Sequence, residues 1–197
     1  MHLATPHADL LHLYVDALHA GWCPNRHDPA SRLDALEACR TDPHGHLAIL
    51  HDPLGMRPPI TLDDGTTRKA LPSTRRWIVV DGAFGGEIAL RWDPASPELP
   101  PWVLGHVGWH VMGHLRGRGI APQALERWLP EIWAMGLPFV DLAIGVDNTA
   151  SQKAAAKVGA QALGPWPHSA AQAGRGALVR WRLFPHTTGG ARTACAA

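Results

Sequence analysis

Between His114 and Ala121 the chain reads His-Leu-Arg-Gly-Arg-Gly-Ile-Ala. This turn leaves an apolar run and opens a helical pattern. The first amides of a helix have no partner within it, and they carry about half a unit of positive charge. Gly117 and Gly119 keep side chains off that backbone. Arg116 and Arg118 add forked donors that suit phosphate. Such a turn can hold an anion; the alternative is a solvated loop with two arginines. A Walker P-loop is excluded because no Gly-Lys-Ser/Thr follows. A dinucleotide fingerprint fails because its third glycine falls on Pro122.

The elements that must position this turn are partly readable. Residues 8–20 form an amphipathic helix with Leu10, Leu11, Tyr14, Val15 and Leu18 at helical spacing. A second helix starts at Asp28-Pro29 and is expected to end at Asp42-Pro43. Leu47 to Leu50 reads as a short strand, and 52–75 as loops around weak strands. From Arg76 the pattern becomes β-rich. Trp77 to Val80, the Asp81-Gly82 turn and the alternation from Glu87 to Trp92 read as a hairpin. Val103 to Val111 reads as the next strand, with glycines at 105 and 108 where a backbone or ligand comes close. The helix after Gly119 has Pro122 in its first turn and is expected to kink or split at Pro130. Phe139 to Val146 is a strand, Asp147 to Thr149 caps a short helix ending at Gly159, and Ala177 to Phe184 is a last strand. Residues 186–197 read as a disordered tail. The fold class expected is mixed α/β, with a mostly antiparallel central sheet and flanking helices.

Three blocks, in the family's order along the chain, resemble the GNAT N-acetyltransferase superfamily. Arg116-Gly117-Arg118-Gly119-Ile120-Ala121 is similar to its R/Q-x-x-G-x-G/A signature. Asn148-Thr149-Ala150-Ser151 with Lys157-Val158-Gly159 resembles the segment after its fifth core strand. Gly105 to Val111 resembles its fourth strand. The resemblance covers roughly residues 76–184. It implies a splay between the fourth and fifth core strands that takes the pantetheine arm of acetyl-CoA. It implies that Val111 meets pantetheine, that Arg116, Gly117, Arg118, Gly119, Ile120 and Ala121 hold pyrophosphate, and that Asn148 and Ser151 touch the arm near its thiol. By this reading residues 1–185 form one domain: 1–75 supply helices and substrate-side loops, and 76–185 the acetyl-CoA-binding core.

The implied reaction moves an acetyl group from acetyl-CoA to a primary amine of a small molecule or peptide by direct attack. The amine must first be neutral. At pH 7 a lysine side chain is neutral in only ~0.04% of molecules, an α-amine in roughly 14%, a gap of about 3.5 kcal/mol. Candidate bases are Glu87, His106, His110 and Asp147. Spacing places His106 and His110 on one face of a strand. A surface carboxylate or a packed ring is the competing reading for each. Many family members use a tyrosine as general acid on the helix after the fifth strand; here that position falls on Ala155. The departure leaves a second reading open, a GNAT-like protein that binds acyl-CoA without turnover.

Composition narrows the partners. The 197 residues carry 18 basic and 17 acidic side chains, a formal charge of +1, too little field to hold nucleic acid or an anionic membrane. Three cysteines without close spacing argue against a disulfide framework. The start lacks a signal-peptide pattern and no stretch is apolar enough to span a bilayer, so a cytoplasmic monomer or homodimer is expected. His106, His110 and His114 would converge on a metal only along a helix, which Gly105, Gly108 and Gly113 oppose; no metal is expected.

Overall fold

The computed structural model describes residues 1–62, 64–167 and 176–185. The tail expected to be disordered lies outside them. The chain opens with a short strand, β1 (His2–Ala4), and a single 3-10 turn (Ala8–Leu10). Three helices follow: α1 (Leu11–His19), α2 (Ser31–Thr41) and α3 (Pro43–Leu50). A small hairpin, β2 (Ile60–Thr61) and β3 (Thr67–Arg68), precedes the long strands β4 (Ser73–Val80) and β5 (Ala83–Arg91). Then come β6 (Val107–Val111), α4 (Ile120–Ala134), β7 (Val140–Gly145), α5 (Thr149–Lys157), β8 (Gln161–Pro165) and β9 (Leu178–Leu183).

The long strands form two ladders. One runs β1-β4-β5-β6 and the other β7-β9-β8, and every pairing within them is antiparallel. β6 and β7 are neighbours across the join, with α4 as the crossover. They meet at their starts: the His106 amide donates to the Asp141 carbonyl at 2.7 Å. A Cβ on Gly105 would stand 2.9 Å from that same oxygen, so only glycine lets the backbones approach so closely. Past this point the strands part. Val107 packs with Val140 and Leu142 of β7, whereas Val111 packs with Ile78, Leu115, Ile120 and Ala124. This is the splay between neighbouring core strands expected from the sequence.

Two larger cores hold the rest. α4 and α5 close one face of the sheet through Leu125, Trp128, Ile132, Ala155 and Val158 against Ile88, Leu90 and Leu142. α1, α2 and α3 close the other through Tyr14, Leu18, Ala35, Leu47 and Leu50 against Trp77 and Phe84. The stacked rings of Tyr14 and Trp77, with centroids 5.2 Å apart, tie α1 to β4.

Several expectations need correction. Leu47 to Leu50 is the end of helix α3, not a strand. Asp42 does end α2, but its side chain then accepts the Gly45 amide at 2.9 Å while Pro43 takes the first helical position. Cap and proline together restart a helix at once. α4 runs unbroken through Pro130, whose exposed position lets water serve the carbonyl that loses its donor. The strand expected over Val103–Val111 begins only at Val107, because Gly105 takes a left-handed backbone, φ 70°. The edge strands β1 and β8 have no counterpart in the sequence reading.

Candidate active site

The turn after β6 has the backbone that its glycines allow. A 3-10 turn, Gly113–Leu115, leads to Gly117 (φ 77°) and Gly119 (φ 73°), both left-handed, and Gly119 caps α4. The amides of Gly117, Arg118, Gly119, Ile120 and Ala121 donate to no group among the described residues. Ile120 is buried beside Val111 and Leu115, which anchors the start of α4 next to the end of β6. Five unpaired amides, a helix N-terminus and exposed Arg118 thus stand at one lip of the gap between the two ladders.

Arg116 behaves differently from Arg118. Its Nε donates to the Val111 carbonyl at 3.1 Å and its terminal nitrogen lies 3.2 Å from His110 Nε2. It bridges turn and strand rather than projecting freely toward a phosphate. At the other lip, the Asn148 side chain accepts the Ser151 amide at 3.1 Å and caps α5. The cap falls within the Asp147 to Thr149 segment that the sequence marks as the start of this helix. Ser151 stands in the first turn of the same helix.

Two of the candidate bases share a wall. On β5, Glu87 lies opposite Trp77 of β4 and His110 of β6, and residues directly opposite face the same side of a sheet. Glu87 is 5% exposed. One of its oxygens pairs with Arg75, and the other is buried without a hydrogen-bond partner. The Tyr14 hydroxyl and His46 Nε2 are likewise buried and unpartnered, and the negative charge of Glu87 reaches Tyr14. Burial first, then that charge, pushes the Tyr14 phenol far above its usual range. His110 stacks on Trp22 at 4.2 Å. Burial, with the charges of Arg116 and Arg26 behind it, pushes the His110 pKa down to about 4. Its ring is neutral at pH 7, and its Nε2 lone pair faces Arg116.

His106 does not share that wall, which corrects the pairing expected from a four-residue spacing. It precedes β6 and is fully buried. Its Nδ1 accepts the Asp141 amide at 3.0 Å, so its Nε2 carries the proton and donates to the Pro97 carbonyl at 3.1 Å. With both nitrogens used, this ring pins the join between ladders and has no lone pair for a substrate proton. Beside it, Asp141 accepts from Arg180 and Arg182, and Glu98 accepts from both arginines. Burial opposes ionisation of Asp141, but hydrogen bonds from Arg182 and Arg180 hold its carboxyl below the usual range. Asp147 follows β7 and belongs to neither strand of this wall.

The wall faces a cavity of about 250 Å³, bounded by Glu87, Arg75, Arg91 and His110 and covered by the Pro24–His27 segment. Arg75 was not singled out from sequence as a site residue, and Trp22 was read only as one of three tryptophans, with Trp102 and Trp166, that could shape a substrate cleft. Arg75 shares the Trp77 face of β4, so strand alternation was the signal that would have found it. Trp22 precedes a loop whose course no local pattern fixes.

A mixed α/β fold with two ladders parting beside a glycine-rich helix start is the arrangement of the GNAT acetyltransferase class. Residues 38–161 match the family described as Acetyltransferase (GNAT) domain, and the chain belongs to that family. Solved structures agree at the level of fold. The chain is similar to RimL, a ribosomal L7/L12 α-N-protein acetyltransferase solved with coenzyme A, at TM-score 0.58 and 11% identity over 92% of each chain. It is also similar to the microcin C7 self-immunity acetyltransferase MccE, solved with acetyl-CoA and AMP, at TM-score 0.54 and 11% identity over 92% of this chain and 91% of that one. A Vibrio cholerae protein described as a ribosomal-protein-serine acetyltransferase aligns at TM-score 0.55 and 13% identity over 93% and 92%. No curated protein sequence matches significantly. Among the described residues no helix is long and apolar enough to cross a membrane.

Proposed function

We propose that the chain transfers an acetyl group from acetyl-CoA to a primary amine of a small molecule or peptide by direct attack. The observation that carries this reading is the row of unpaired amides from Gly117 to Ala121, set at the mouth of the gap between β6 and β7 with the Glu87 wall on the neighbouring strand. The amides and Arg118 would bind the pyrophosphate. The edge of β6 at Val111 would pair with the pantetheine arm, with Asn148 and Ser151 toward its thiol end. Relatives of the same fold bind coenzyme A or acetyl-CoA, which supports this cosubstrate.

Glu87 is the base best placed for the acceptor. It is a buried carboxylate with one oxygen unpartnered, on the wall of a cavity that could hold an amine. A proton leaving the ammonium would pass to it directly or through one water. His110, neutral and held by Arg116, would position the wall rather than take the proton. The thiolate leaves without a tyrosine acid, because Ala155 at that position is fully buried in the core.

The same alanine favours a second reading, an acyl-CoA binder without turnover. Thiol release from acetyl-CoA over a panel of peptide N-termini, polyamines, aminoglycosides and amino acids separates the two. Release above hydrolysis with any acceptor supports transfer. Thermal stabilisation by acetyl-CoA with no release from the whole panel supports the binder. No stabilisation by acetyl-CoA overturns both.

A further inference from the structure

The core between the sheet and the N-terminal helices holds polar atoms that the proposed reaction leaves unexplained. One oxygen of Glu87, on β5, is buried without a hydrogen-bond partner among the described residues. So are the hydroxyl of Tyr14, on α1, and Nε2 of His46, on α3. The three side chains share one neighbourhood. Trp77 stands directly opposite Glu87 in the β4–β5 register. The Tyr14 ring stacks on Trp77, with centroids 5.2 Å apart, and on His46 at 5.8 Å. Arg75, the ion-pair partner of Glu87, acts by its charge on both Tyr14 and His46. The rest of this core is apolar, with Leu18, Leu47, Leu50 and Phe84 packed in the same cluster.

A buried polar group left without a partner costs about 1–3 kcal/mol, so three together call for an explanation. The indole N–H groups of Trp22 and Trp77 are unpartnered in the same cluster, and such a set of polar atoms can hold ordered water. The chemistry of the three groups runs in a useful order. Glu87 gains a proton in each proposed turnover and must lose it before the next ammonium arrives. Tyr14 is fully buried. Its phenol, pushed far above its usual range by burial and then by the charge of Glu87, stays protonated. A neutral hydroxyl can accept a proton while it donates its own. His46 as a residue is only half-buried, although its Nε2 is sealed in the core. Burial, then the charge of Arg75, holds its pKa below the ordinary 6.5, so the ring is neutral at pH 7 and does not trap a proton. An imidazole can take a proton on one nitrogen and release one from the other.

We infer that Tyr14 and His46 form an interior proton exit from Glu87. The carboxylic acid O–H of Glu87 breaks as its proton passes to the Tyr14 oxygen. The phenol O–H breaks as that proton passes to His46 Nε2. An N–H at Nδ1 then breaks, and its proton goes to solvent. Each hand-over is direct or through one ordered water. A flip of the half-buried ring restores the starting tautomer. One proton enters from the ammonium, one leaves to water, and no electrons are transferred. The route stays open while an acceptor fills the cavity in front of Glu87 and blocks the way out on that side. This deepens the acetyltransferase reading and rests on it. Tyr14 and His46 act through Glu87 and touch neither acetyl-CoA nor the amine.

Two variants test the exit, assayed with whichever amine of the panel releases thiol fastest. Tyr14→Phe keeps the ring and its stacking but removes the hydroxyl. That hydroxyl has no partner to lose, so thermal stability should hold. His46→Ala, at a half-buried helix position, removes the outlet and decides alone if the first variant fails to fold. Each is expected to lower kcat roughly tenfold or more, with the KM of the amine and the Kd of acetyl-CoA unchanged. Two readouts separate a blocked proton from a disturbed core. Imidazole in the buffer should restore turnover to His46→Ala but not to Tyr14→Phe, and the solvent deuterium isotope effect on kcat should rise in both. In a Glu87→Gln background, Tyr14→Phe should cost nothing further. Full kcat in the variants overturns the exit. So does a loss that imidazole does not relieve and deuterium does not enlarge. In either case thiol release by the unsubstituted chain leaves the transfer reading standing, whereas no release from that chain with any acceptor overturns both.

Discussion

Glu87 sits where a base is useful and where a buried charge needs support. Arg75 supplies the counter-charge, and the unpartnered oxygen leaves room for one more donor. Glu87→Gln keeps an oxygen for Arg75 but removes the proton acceptor. It is expected to lower kcat by about 10²–10⁴-fold and to leave the Kd for acetyl-CoA unchanged, as read by thiol release and calorimetry. A loss below about threefold would move the base elsewhere. The sequence made Glu87 a candidate through strand alternation alone. It could not separate His106 from His110, because four residues of spacing say nothing about where a strand begins. The left-handed backbone at Gly105 decides that, by turning His106 into the join with β7.

At the scale of elements, α4 carries two features that can be tested separately. Gly119 caps it in a left-handed conformation, and a Cβ there would meet only Gln123 Nε2 at 3.4 Å. Gly119→Ala is therefore a matter of backbone strain and of crowding toward the phosphate that the proposed function seats here, not of packing. It should cost about 1 kcal/mol of stability and weaken acetyl-CoA binding by roughly tenfold or more in calorimetry. Gly113→Ala, at a glycine with ordinary φ and open space, is the control. Pro130 interrupts the hydrogen-bond ladder of the same helix on its exposed side. Pro130→Ala should raise stability in urea denaturation by about 1 kcal/mol or more; an unchanged midpoint would show that the helix already accommodates the ring. Long periodic elements such as α1 and α4 were legible because their apolar faces repeat over several turns. α3 was not, since four apolar residues after a proline fit either period and only the Asp42 cap settles them. β1 and β8 were missed because three and five residues, mostly on edges, bury too little to leave a pattern.

For the whole molecule, the histidines set an acid limit. His46, His51, His106 and His110 all have pKa values below the ordinary 6.5, burial being the first cause in each. The folded chain therefore binds these protons less readily than the unfolded one. Stability from this source is fully present above about pH 6.5. It is lost as pH falls from there toward about 4, where His110 itself titrates in the folded state. Urea midpoints taken at pH 7.5, 6 and 5 should fall in that order, and a flat series would contradict the burial of these rings. The two-ladder arrangement adds a mechanical property. From the His106–Asp141 bond to the end of β6 is about five residues, or roughly 16 Å. A rotation of about 5° at that pivot would swing the far end by about 1.4 Å, enough to turn a slot too narrow for a slender chain into one that grips it. On the proposed function, loosening the imidazole at that fulcrum would be felt as altered grip on the cosubstrate by a residue that never touches it.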